Sequence, residues 1–120
     1  MKALFDTCLV IDYLKGVVEA QQELARYEDK YLSVISWMQI VSSAAPEHKQ
    51  TTEAYLKQYQ IIDINRDVRE LAVNIKVAEN MKLPDAITLA AAQQHNLIMV
   101  TRNGQHFPVD HPGIRIAYEF

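Results

Sequence analysis

A chain of 120 residues that is 49% hydrophobic and 22% charged can bury a sizeable core, and it has no low-complexity tract, which excludes disorder. Lys and Arg number 12 against 15 Asp and Glu, a net charge of −3, so any nucleic acid must be met by a local patch and not by a broad basic face. There is no cationic leader, no apolar run of membrane-spanning length, and only one cysteine for a disulfide or zinc cluster; a single cytoplasmic domain over 1–120, without membrane association, is expected.

KALFD (2–6) reads as a short buried strand. CLVIDYLKG (8–16) reads as a helix with Leu9, Val10, Tyr13 and Leu14 at helical spacing and Gly16 as its stop. Cys8 is taken as a small apolar residue that packs well. VVEAQQELARY (17–27) is a second amphipathic helix and YLSVI (31–35) a second strand. SWMQIVSSA (36–44) follows as a helix with Ser36 as N-cap and with Trp37 and Met38 in the core. Pro46 opens a polar helix, PEHKQTTEAYLKQY, and QIIDI (60–64) is the third strand. Asn65 caps RDVRELAVNIKVAENM, whose apolar stripe is Val68, Leu71, Ala72, Ile75 and Ala78. LPDAITLAAAQQHN (83–96) is a helix opened by Pro84 and closed near Asn96. LIMVT (97–101) is an apolar strand, RNGQHF a turn, and IRIAYEF (114–120) a terminal strand.

Strands alternating with helices imply a parallel sheet covered on both faces, and such folds gather ligands beyond the carboxyl ends of their strands. The polar residues placed there are Asp6 and Thr7, the segment from Ser36 to Gln39, and Thr101, Arg102 and Asn103, with Asp85 opening the helix before LIMVT. Taken singly, each has a structural explanation. Asp6 and Thr7 suit a helix cap, Asp85 suits a first helical turn, Asn103-Gly104 suits a tight turn, and His106 suits a half-packed surface. Asp12 is expected to face solvent or to pair with a Lys or Arg. Aspartyl phosphatases of the haloacid-dehalogenase type need an acid two residues after the first, where Cys8 stands. Receiver domains need an acidic pair and a late lysine, and phosphate loops need clustered glycines; neither pattern occurs here.

In order and spacing, LFDTCLVIDYLKG, LSVISWMQI, LPDAITLAAA and LIMVTRNGQHF resemble the segments of PIN-domain proteins of the VapC toxin type, over residues 2 to 117. The resemblance implies a three-layer α/β/α sandwich with a central parallel sheet of about five strands. It also implies an acidic site that binds Mg2+ or Mn2+ and cleaves RNA, and in many members an antitoxin partner and a homodimer. Carried over residue by residue, Asp6 and Asp85 match the metal-binding acids, and Gln39 stands where the family has glutamate. Asn103 is family-like, Thr7 and Thr101 would hold substrate or a bridging water, and Arg102 would meet a phosphate. His106 replaces a frequent acid and Cys8 a customary asparagine. Two carboxylates balance one dication; each missing charge forfeits on the order of several kcal/mol of gross attraction. The expectation is an endoribonuclease toxin with one weakly held ion and reduced activity. The alternative is a degenerate module that binds RNA or protein; a third reading, an antitoxin-bound dimer subunit, expects an apolar docking groove near residues 17–27.

Overall fold

A computed structural model describes residues 1–107 and 111–119. Five strands, β1 (Lys2–Phe5), β2 (Asp29–Ser33), β3 (Gln60–Ile62), β4 (Ile98–Thr101) and β5 (Ile114–Ile116), form one sheet in the order β3-β2-β1-β4-β5, with every pairing parallel. β1 is therefore central. Its alternate side chains divide between two cores: Ala3 and Phe5 pack on one face, Leu4 on the other, as the two-residue period of a strand requires. β4 divides likewise, Val100 facing one layer and Met99 the other. The sequence shows no alternation in either strand, because strands covered on both sides are apolar throughout.

One layer holds α1 (Thr7–Leu14), α2 (Val18–Leu24), α3 (Val34–Ser43) and α4 (Lys49–Leu56), packed over Phe5, Leu32 and Val100. The opposite layer holds α5 (Arg66–Glu79) and α6 (Leu83–Gln94), whose Ala90, Ala91 and Ala92 are fully or almost fully buried and let helix and sheet approach closely. This is the expected three-layer sandwich. Among the described residues no helix is long and apolar enough to cross a membrane.

Several local expectations are corrected. β2 ends at Ser33 and α3 begins at once with Val34, so Val34 and Ile35 are helical although both are β-branched. The cap is Ser33, whose Oγ accepts from the Ser36 N–H, and Ser36 lies inside the helix. Met38 is 45% exposed and Trp37 only partly buried, so neither sits in the core proper. The segment opened by Pro46 begins as a 3-10 turn before α4 starts at Lys49. On α5, Val68, Ala72 and Ile75 are buried but Ala78, in the last turn before the left-handed C-cap Asn80, is exposed. β5 stops at Ile116, where Ala117 N–H still donates to the Thr101 carbonyl at 2.8 Å and the chain then turns toward α1. Phe120, the last residue of the expected strand, lies outside the described residues.

Candidate active site

The carboxyl edges of β1, β2 and β4 bring Asp6, Ser33 and Thr101 together, and the first turns of α1 and α6 add Thr7 and Asp85. Asp6 is the N-cap of α1, with its own N–H tied to the Val100 carbonyl at 2.9 Å. One carboxylate oxygen accepts from the Thr7 N–H at 2.8 Å; the other accepts from Thr101 Oγ1 at 2.8 Å and Cys8 Sγ at 3.2 Å. Asp6 is buried, and among the described residues no Lys or Arg pairs with it. Its charge rests on neutral donors and the positive end of a helix.

Those donors stay protonated. Burial, followed by the charge of Asp6 and the hydrogen bond to it, pushes the Cys8 thiol up to about 12. Cys8 therefore works as a weak S–H donor and not as a thiolate. This role was not legible from its position alone.

Asp85, in the first turn of α6, titrates above its ordinary value because it is desolvated and because Asp6 is negative; His106 and Lys82 pull the other way. The two acids thus feel each other's charge across the carboxyl edge of the sheet. His106 Nδ1 lies 3.7 Å from Asp85 Oδ2 and 3.0 Å from Asn103 Nδ2, while the Asn103 N–H donates to Thr101 Oγ1 at 3.0 Å. Asn103 is accordingly fixed at the edge of the acidic pair by the strand-end threonine.

Gln39 faces the same mouth from α3. Its Oε1 lies 2.7 Å from Thr7 Oγ1, which is also 2.9 Å from Ser36 Oγ. Behind them, Ser33 Oγ lies 3.1 Å from both Ser36 Oγ and Thr88 Oγ1, giving a buried run of hydroxyls under the site. Sequence reading reached Thr7 and Gln39 and missed Ser33 and Thr88, since isolated hydroxyls in apolar segments carry no motif.

Arg102 turns toward α1. Its Nε is 2.7 Å and its Nη2 3.4 Å from the Asp12 carboxylate, which also accepts from the Tyr118 hydroxyl at 2.9 Å. Asp12 is only 5% exposed, so of the two expectations for it the ion pair is correct and the solvent-facing position is not. A second such cluster, unseen in the sequence, centres on Glu23, which takes two hydrogen bonds from Arg115 and one from Tyr27.

Oxygen donors from two carboxylates, with carboxamides beside them, suit a hard dication that keeps several of its waters. A cation would also relieve the repulsion recorded at Asp85. The set does not make a closed cage: among the described residues no three His, Cys, Asp or Glu side chains gather closely enough to hold a metal by themselves. The arrangement fits one ion better than two.

Comparison with known proteins bears on this geometry. The PIN domain family model matches residues 3–111. A chain of a toxin–antitoxin complex from Klebsiella pneumoniae is 39% identical, with 98% of this chain and 99% of that chain covered and a TM-score of 0.92. FitAcB from Neisseria gonorrhoeae aligns at 21% identity over 89% of this chain and 91% of that one, with a TM-score of 0.71. DNA-bound VapBC from Salmonella typhimurium aligns at 21% identity over 96% of each chain, with a TM-score of 0.73; these two likenesses speak to the fold. Comparison with curated protein sequences gives no match.

Proposed function

This chain belongs to the PIN-domain family, and from that premise we propose that it is the toxin of a toxin–antitoxin pair, a metal-dependent endoribonuclease of reduced activity. The observation that carries the reading is the chain of contacts from Asp6 through Thr101, Asn103 and His106 to Asp85, which sets the two acids at the carboxyl edge of the sheet. Asp6 and Asp85 are the residues that would hold Mg2+ or Mn2+, with Gln39 and Asn103 as uncharged secondary ligands. When bound, the ion supplies a more acidic water and charge compensation at the scissile phosphate. The Thr7 N–H, the Thr101 hydroxyl and the Cys8 thiol orient the Asp6 carboxylate. Asn103, tied to Thr101, lines the place where substrate enters. Gln39 brings no charge, which is why activity is reduced relative to a site with glutamate there.

The antitoxin partner is proposed from the Klebsiella complex and from an apolar groove of about 560 Å³ between α1, α3 and α4, lined by Ile11, Leu14, Ile40, Ala44 and Tyr55. This is a different place from the α2 region expected from the sequence. A homodimer is proposed on family grounds alone.

The purified protein with Mn2+ is expected to cut a structured RNA, and Asp6→Asn to abolish cutting. Absence of cleavage across Mg2+, Mn2+ and several RNAs overturns the nuclease reading. The second reading, a binding module without catalysis, is favoured by the neutral Gln39 and by His106 standing beside Asp85. It predicts RNA retention without cleavage, and metal binding that appears only in Gln39→Glu.

A further inference from the structure

We propose that Arg102, Asp12 and Tyr118 form a clasp that sets the exit turn of β4, which makes Arg102 a positioning residue and not a contact for substrate phosphate. Arg102 stands between the residues that hold the two acids. Thr101 donates to Asp6, and Asn103 meets the His106 ring that lies beside Asp85. The position of residue 102 therefore sets both contacts at once.

Contacts from two sides restrain this turn. Two guanidinium nitrogens reach the Asp12 carboxylate at 2.7 and 3.4 Å, a planar fork that fixes orientation as well as distance. The Tyr118 hydroxyl adds a third bond to the same carboxylate at 2.9 Å. From the other side, Ala117 N–H holds the Thr101 carbonyl, and Glu119 lies so close over Gly104 that a Cβ there would come within 2.9 Å of its Oε1. α1 and residues 117–119 thus grip the turn between them.

A change of partner is costly. Asp12 is nearly fully buried, and withdrawing Arg102 toward a phosphate would leave that charge with the Tyr118 hydroxyl as its remaining bond within the clasp. A buried carboxylate stripped of its cation is strongly disfavoured. Lysine cannot replace the fork, because a single ammonium fixes neither plane nor direction.

The link to catalysis rests on the nuclease reading, so the test reads the turn itself. Amide hydrogen exchange on the full chain is followed by NMR at Asn103 and His106, whose N–H groups bond within the turn, with the Asp6 amide as reference. Arg102→Met is expected to speed exchange at the two turn amides about tenfold or more while the Asp6 amide changes little. Arg102→Lys should fall between Arg102→Met and the wild type. A merely global loss of stability would speed all three amides together and overturns the clasp. Unchanged exchange with weaker RNA binding assigns Arg102 to substrate and also overturns it. Loosened turn amides in a protein that cleaves no RNA uphold the clasp and remove the nuclease reading instead. If Arg102→Met does not fold, Tyr118→Phe removes one bond and keeps the ring; it should speed the same amides about threefold, and no change there is fatal to the proposal.

Discussion

Among the described residues three carboxylates are buried, Asp6, Asp12 and Glu23, and Asp85 is partly buried beside them; they fall into two unlike pairs. Asp12 and Glu23 are each met by an arginine and a tyrosine, with nitrogen–oxygen distances down to 2.7 and 2.8 Å. Asp6 and Asp85 lie at the carboxyl edge of the sheet. Among the described residues neither has an arginine, and Asp6 is held by a backbone N–H, a hydroxyl and a thiol. Burial is similar for Asp6 and Asp12, so burial does not separate the pairs; the charge of the partners does. A carboxylate neutralised by arginine serves the fold. One held in place without a cationic partner is, in the reading proposed above, where a cation would bind.

Substitutions that exchange the behaviour of the pairs would break this comparison. The largest effect is expected from Asp6→Asn. Mn2+ binding by calorimetry and RNA cleavage should both vanish, while stability in urea falls by about 1 kcal/mol, because Asn still caps a helix. Arg115→Ala should do the reverse. Glu23 would keep Tyr27 and a 3.4 Å contact to Arg26 but lose its principal cation, costing about 2–3 kcal/mol in the same urea titration with Mn2+ affinity unchanged. Gln39→Glu sharpens the contrast by adding charge to the poised pair. Its Mn2+ affinity should rise by roughly tenfold, or about 1.4 kcal/mol, and a flat calorimetric response would show that residue 39 does not face the ion.

The smallest effect concerns acid. Burial alone would raise the Glu23 carboxyl, but the hydrogen bonds from Arg115 and Tyr27 outweigh it and hold it below its ordinary 4.5. A depressed native value adds stability that is present above the unfolded value and lost as pH falls through the native one. The stability gap between wild type and Glu23→Gln should therefore be full at neutral pH and narrow below the ordinary carboxylate range. A gap that widens on acidification would mean the shift has the opposite sign.

Much of the architecture is legible in the amino-acid order because strands and helices alternate and their ends carry chemistry. Asn65 caps α5 as its position predicts, and Asp6 falls where a strand gives way to a helix. Ser33 shows where such reading stops. The sequence reading runs the strand to Ile35 and puts the cap at Ser36, and only the pairing of Leu32 and Ser33 with Ile61 and Ile62 shows that the strand ends at Ser33. The clusters around Asp12 and Glu23 are illegible for another reason. Their partners lie 90 and 92 residues away, brought near by the positions of β4 and β5, and no local pattern encodes that distance. The acidic pair is singled out by analogy of blocks; the partners each acid has come only with coordinates.

The hydroxyls beneath the mouth carry one more implication. A threonine side chain owns a single proton, so Thr7 can donate to Gln39 or to Ser36 at any instant, never to both, although it can accept from the Ser36 hydroxyl while donating to Gln39. When the proton goes to Gln39, the amide turns its oxygen inward and keeps its N–H edge for whatever enters; when it goes to Ser36, the carboxamide must rotate and show oxygen instead. A glutamate at that position can only accept, which would freeze the chain in one polarity. What stands at residue 39 thereby decides not just how much charge the entrance holds but whether the proteins' hydroxyl wire has one reading or two.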